Sequence, residues 1–287
     1  MAGKPLVLVS SNRKGGCFKS SGTFHLGGAF AARGMRTLLL DADPQGSLSQ
    51  SFFSSRVVEE LAAGESLAAL FDDRLGTSPL TLVHATPIEN LAIVPASGHL
   101  TQFNHADPKA HGWLQDSLRQ FIVELGDRFD CVLIDTPPNL QLVTWAAMVA
   151  SDFVLTPVIP EDYAAQGLVH VKRFIEDVQA SRNGALRWMG LLLTMVQNRL
   201  GVHVAYERVI RQAYGQLVLD TVIPHAAIFK EAVAAKTPVT LYKPRVAAAK
   251  TVTQLAEEIA RRAGLELPQP SQTKKRPPRQ PRKKEAA

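Results

Sequence analysis

Residues 13–21 read RKGGCFKSS. A lysine followed by a hydroxyl residue, Lys19-Ser20, stands behind the paired glycines Gly15 and Gly16. Those types in that order can grip a polyphosphate. Glycines let backbone N–H groups approach phosphate oxygens, the lysine neutralises charge on the outer phosphates, and the serine hydroxyl can take a place on Mg2+. The common spacing G-x-x-x-x-G-K-[ST] would put glycine at positions 13 and 18. This chain has Arg13 and Phe18 there, and an extra lysine, Lys14. Taken alone, the segment also fits a glycine turn that binds nothing.

Two acidic segments add weight to the phosphate reading. Asp41-Ala42-Asp43-Pro44-Gln45-Gly46 and Asp135-Thr136-Pro137-Pro138 each follow an apolar run. Singly, each aspartate is equally well a cap or turn residue. In a parallel sheet, however, the carboxyl ends of strands share one edge, where ligands bind. Three carboxylates beside a phosphate loop have a use there: one holds Mg2+ through water, another positions an attacking water.

The elements that must hold these residues are legible as continuous apolar runs at 5–10, 37–41, 91–95, 131–135, 153–158, 189–195 and 217–224. Continuous rather than alternating runs indicate strands buried on both faces. Helical patterns separate most of them, over roughly 19–33, 110–125, 140–150, 164–181 and 202–215, and a last one covers 247–263. Residues 47–90 are the least regular part. The expected fold class is α/β, a mostly parallel sheet flanked by helices on both faces.

The 287 residues are 46% hydrophobic, enough for one large core. No apolar run is as long as a membrane span, and the N-terminus has no signal-peptide pattern. The two cysteines, Cys17 and Cys131, lack metal-ligand spacing, so a reduced, cytoplasmic chain is expected. Residues 268–287 hold seven Lys or Arg and one acid, so this stretch alone carries the chain's net charge of +6. The expected organisation is a body over 1–265 and a basic, proline-rich, disordered tail over 266–287.

The segments KGGCFKSS, LLLDADPQGS, FDCVLIDTPP, GLLLTM and TVIP, with KTPVTLYKPR after them, stand in the order seen in the ParA/Soj partition ATPases. The chain resembles that family, the deviant Walker-A class of P-loop NTPases that includes MinD, from about Leu6 to Arg262. The resemblance implies a slow ATPase using ATP and Mg2+. It makes residues 14–21, namely Lys14, Gly15, Gly16, Cys17, Phe18, Lys19, Ser20 and Ser21, the nucleotide loop, with Lys19 on the phosphates. Lys14 would reach across an ATP sandwich homodimer to the partner's nucleotide, and Asp43 would position the water. Ser20 and Asp135 would ligate Mg2+, with Asp41 supporting that shell. Thr194 and Pro224 would line the adenine pocket. Phe18 departs from the family, most of whose members have glycine there.

The same resemblance implies that the ATP dimer binds double-stranded DNA non-specifically and that a ParB-like partner stimulates hydrolysis. Arg199 matches a DNA-contacting arginine of the family, while a second falls on Ile228; Lys230, Lys236, Lys243 and Arg245 can supply that charge. These four also fit a solvated face. The tail cations, Lys274, Lys275, Arg276 and Arg279 among them, bind phosphate by counterion release, which is a physical argument independent of family. The tail has no aromatic for base stacking, and prolines 277, 278 and 281 with no apolar face disfavour a MinD-type amphipathic membrane helix, although a polybasic stretch could touch anionic lipid. A cytoplasmic, nucleoid-associated protein with no stable membrane association is expected, cycling on ATP to move a plasmid or chromosome origin. Alternatives are a positioning ATPase for a non-DNA cargo and a weakly hydrolysing, nucleotide-gated DNA binder. A biosynthetic ligase of the dethiobiotin-synthetase kind is disfavoured by Lys14 and the DPQG motif. A nitrogenase-iron-protein-like reductase would need paired cluster cysteines. Cys17 reads either as a small loop residue or, beside a helix N-terminus and lysines, as a thiol of lowered pKa open to alkylation.

Overall fold

The computed structural model describes residues 4–161 and 164–268. Seven strands form one sheet: β1 (Leu6–Ser10), β2 (Thr37–Asp41), β3 (His84–Ala85), β4 (Leu91–Val94), β5 (Cys131–Asp135), β6 (Phe153–Val158) and β7 (Arg187–Leu193). Their order is β3-β4-β2-β5-β1-β6-β7, and every pair is parallel except the short edge strand β3 against β4. The α-helices are α1 (Lys19–Ala32), α2 (Ser47–Gln50), α3 (Ser55–Glu59), α4 (Ser117–Leu125), α5 (Leu142–Ala150), α6 (Ala164–Ser181), α7 (Gly201–Tyr214), α8 (Ala227–Ala234), α9 (Val239–Tyr242) and α10 (Ala247–Ala263).

The continuous apolar runs have the expected cause. Every residue of β2, β5 and β6 is buried. Alternate strand residues feed opposite layers. Val7, Val9, Val132 and Ile134 pack into one core with Phe121, Trp145 and Ile175 of α4–α6. Leu8, Leu39 and Leu133 pack into the other with Phe24 and Phe30 of α1 and Leu255 of α10. The helix α1 is held close on its outer side. A Cβ added at Gly28 would lie 2.2 Å from the Pro238 Cβ, so only glycine lets the chain entering α9 cross there.

Three expectations need correction. The run 217–224 is not a strand; it meets β7 at the isolated bridge Leu191–Val218 and again where the Ile223 N–H donates to the Leu193 carbonyl at 2.9 Å, with the bridge Val196–Pro224 beyond the strand's end. Glu258 on α10 takes the N–H groups of Asp220 and Thr221 at 2.8 Å each, drawing the middle of the run away from a ladder. The helix expected over 110–125 is the shorter α4, preceded by 3-10 turns at Pro108–Ala110 and Gly112–Asp116. Helices α8 and α9 were not foreseen. By contrast, α10 occupies the expected residues, and 47–90 is a chain of short helices and turns with the two-residue β3 near its end. No helix among the described residues is long and apolar enough to cross a membrane.

Candidate nucleotide site

The site forms at the carboxyl edge of the sheet. Asp135, which ends β5, is in register with Ser10 of β1 on one side and Asp41 of β2 on the other. The chain leaves β1, curls, and enters α1 at Lys19. Asn12 ties down the start of the curl: its Nδ2 donates to the Pro157 carbonyl and its Oδ1 accepts from the Lys14 N–H. Gly16 (φ 70) and Phe18 (φ 76) both adopt the left-handed conformation. Such successive turns aim backbone N–H groups into one concavity, an anion site at the head of a helix. A Cβ built on Gly15 or Gly16 meets nothing within 4 Å, so this stretch faces open space.

That space is a cavity of about 560 Å³. Gly15, Gly16, Phe18, Lys19, Ser20 and Ser21 form one side, and Asp43, Ser47 and Pro138 another. Met195, His225, Ala226, Ala227, Phe229 and Lys230 close the far side.

Lys19 is buried, and its Nζ donates to the Lys14 carbonyl at 3.0 Å. A buried ammonium held by one carbonyl remains a strong donor for an anion. Asp41 is fully buried. Its Oδ2 accepts from the Ser49 N–H and hydroxyl at 2.7 and 2.6 Å, and its Oδ1 accepts from the Asp43 N–H. Burial pushes it up to about 7 against those hydrogen bonds. Asp135 is also fully buried, yet neither carboxylate oxygen has a hydrogen-bond partner among the described residues. Burial, then the neighbouring Asp41, raises it well above the usual carboxylate range, while Ser20 and Lys19 pull it down. An orphaned buried carboxylate beside a serine hydroxyl, in reach of a cavity, has the chemistry to accept a divalent cation. Ser20, Asp135 and, behind them, Asp41 therefore fit Mg2+. Asp43 is at the cavity wall and its Oδ1 accepts from the Gln45 N–H.

Several expected site residues lie elsewhere. Lys14 is outside the cavity lining; its Nζ forms an ion pair with Glu161 at 2.5 Å, both side chains being about half exposed. Cys17 is turned inward, 1% exposed, and its thiol donates to the Lys14 carbonyl. Burial raises its pKa more than Lys19 lowers it, so the alkylation-prone reading is corrected. Thr194 is fully buried and does not line the cavity; its hydroxyl donates to the Cys17 carbonyl, bracing the loop from behind. Pro224 is likewise outside the lining, and the wall there is made by the next residues, Met195 and His225. Adjacency to TM and IP was the only sequence signal for them.

Among the surface cations, Arg199 stands exposed in the turn before α7, and Lys236 and Arg245 are exposed. Lys243 is engaged by Glu231 at 3.0 Å. Lys230 is exposed and also lines the cavity. Ile228 is half-buried against the α1-side core. Lys274, Lys275, Arg276 and Arg279 lie outside the described residues.

A parallel sheet with a glycine-lysine loop at its carboxyl edge and aspartates on the adjoining strands defines a P-loop NTPase. Comparison with known proteins narrows the class. A family model described as "AAA domain" matches residues 6–188. The chromosome partitioning protein ParA of Caulobacter vibrioides is 32% identical over 268 residues, covering 91% of this chain and 97% of that protein. The sporulation initiation inhibitor protein Soj of Bacillus subtilis is 32% identical over 258 residues, covering 88% and 98%. The crystal structure of cobyrinic acid a,c-diamide synthase from Mycobacterium smegmatis with bound ADP and magnesium superposes with a TM-score of 0.75 at 25% identity, covering 92% and 98%. The chain belongs to the ParA/Soj family of partition ATPases.

Proposed function

We propose that this ATPase binds Mg2+-ATP in the cavity, dimerises on it, and holds non-specific double-stranded DNA until a ParB-like partner stimulates hydrolysis. The observation that carries the reading is Asp135. It is a fully buried carboxylate whose oxygens make no hydrogen bond among the described residues, close behind Ser20 and Lys19, which line the cavity.

The N–H groups of Gly15 and Gly16 cradle phosphate oxygens, and Lys19 turns its ammonium to the outer phosphates. Ser20 and Asp135 hold the cation, while Asp41 fixes the Asp43 backbone. A cation held there would supply charge neutralisation at the transferring phosphoryl group. Asp43, at the cavity wall, orients the water for in-line attack. Lys14 lies next to Gly15 of the loop, outside the cavity lining and half exposed, and can exchange its Glu161 partner for a second subunit's nucleotide. There a cation from the second subunit neutralises developing charge as an arginine finger does.

DNA contact falls to Arg199, Lys236 and Arg245 of the body, 1–265, and to the basic tail, 266–287. A cytoplasmic protein shuttling on and off the nucleoid follows from that cycle. Sedimentation of an Asp43→Ala variant tests it: a dimer in ATP and a monomer in ADP are expected, and a monomer in both contradicts the proposal.

A further inference from the structure

Phe18 caps α1 with φ 76 and ψ 15. That backbone conformation is nearly free for glycine and unfavourable for a bulky side chain. A strained residue persists where its surroundings over-determine it, and the surroundings here are specific. The ring is 8% exposed and meets Phe229 edge-on with centroids 5.1 Å apart. It stacks at 6.1 Å on His25, which itself lies 5.2 Å from Phe229. Gly22 makes the seat, since a Cβ there would come 3.2 Å from the Phe18 Cδ1. Farther along, the His25 Nδ1 accepts from the Val239 N–H at 3.1 Å, and Gly28 abuts Pro238.

Those two outer contacts fix the start of α9 to α1. The Phe18–Phe229 contact is different: it joins α8 to the phosphate loop itself, and both rings also line the cavity. On the same helix or just before it, Ala226, Ala227 and Lys230 line the same cavity as the loop. Triphosphate held at the nest leaves the nucleoside to lie toward them.

We infer that Phe18 is a positioning residue: its ring clamps α8 to the phosphate loop and thereby sets the nucleoside-facing wall of the cavity. The inference rests on the nucleotide reading of the cavity. A preset wall contributes affinity by removing an ordering cost on binding. The clamp therefore contributes to ATP binding but not to binding of a bare triphosphate chain, which touches only the loop. A role confined to stabilising the fold would weaken both alike.

The test measures Kd by competition against a fluorescent ATP analogue, for Mg2+-ATP and for Mg2+-tripolyphosphate. The proteins are the full-length chain and its Phe18→Gly, Phe229→Ala, Phe18→Gly/Phe229→Ala and Lys19→Ala variants. Either single aromatic change is expected to weaken ATP about tenfold or more while tripolyphosphate stays within about twofold. The double change should cost no more than the larger single one, because both remove the same contact. Phe18→Leu, which keeps apolar volume against Phe229, should recover part of the ATP affinity and serves if the glycine variant does not fold. Parallel weakening of both ligands in Phe18→Leu and Phe229→Ala, or no change in either, would overturn the clamp. Lys19→Ala should lose both ligands; if it keeps ATP, the cavity assignment beneath the inference falls instead.

Discussion

Asp41 and Asp135 sit side by side in register at the ends of β2 and β5, and only one of them is satisfied. Asp41 is wrapped by Ser49 and the Asp43 N–H, whereas Asp135 has no partner among the described residues. Burial raises both, and like-charge repulsion adds to it, from Asp43 on Asp41 and from Asp41 on Asp135. A divalent cation relieves that repulsion, and the partnerless carboxylate is the one free to bind it. Asp135→Asn should lower hydrolysis by about two orders of magnitude or more. It should also abolish the extra thermal stabilisation that Mg2+ adds to ATP over ATP with EDTA. Hydrolysis near the wild-type rate would remove Asp135 from the cation site.

The Lys14–Glu161 ion pair holds inside one subunit a lysine that the proposed dimer needs on the partner's nucleotide. Pairs this exposed are worth at most about 1 kcal/mol. Glu161→Gln should then lower the ATP concentration at half-dimerisation by about twofold to fivefold, as read by sedimentation. Lys14→Ala should block dimerisation in both backgrounds. An unchanged midpoint in Glu161→Gln would show that the pair is not a brake.

Lys230, expected on a DNA face, is exposed and also lines the cavity proposed for the nucleotide. Lys230→Ala should raise the Kd for ATP by about threefold to tenfold. At saturating ATP its DNA affinity should match that of the parent. Loss of DNA binding at saturating nucleotide, with ATP affinity intact, would restore the outer-face role.

His25 is fully buried, and burial holds it down to about 3, partly offset by the Phe229 backbone. Unfolded, the same group titrates at 6.5. As pH falls below that value the unfolded chain takes the proton and the folded chain does not. The stability His25 contributes is therefore complete above 6.5 and is lost progressively toward 3. At about 1.4 kcal/mol per pH unit, the loss between pH 6.5 and 5 is about 2 kcal/mol. His25→Gln keeps an acceptor for the Val239 N–H and should lack that component. Denaturant titrations at the two pH values, differenced between variant and parent, measure it; identical pH dependence would place a proton on His25 in the folded state.

The sheet and the phosphate loop were legible because their signals are local. Strands buried on both faces read as unbroken apolar runs, and a loop that approaches phosphate needs its glycines at fixed places. What was illegible depends on contacts far along the chain. The run 217–224 has strand composition, but Glu258 captures two of its N–H groups. The direction of the Cys17 shift turns on burial beneath the loop, where Thr194 and Lys19 enclose it. Helix α8 has no capping side chain to announce it. Phe18 looked like a defect in a motif, and its purpose appears only when Phe229, some two hundred residues later, is brought against it.

In the proposed cycle, nucleotide state switches DNA binding. The most direct measurement is affinity for a non-specific duplex with ATP, with ADP and without nucleotide, on the full chain and on one ending at Pro268. The account predicts tight binding in ATP alone, with the switch retained in the shorter chain at reduced affinity and a shallower salt dependence. Binding that ignores nucleotide and vanishes with the tail would contradict it, leaving the tail as a charged anchor and the ATPase cycle to act on another cargo.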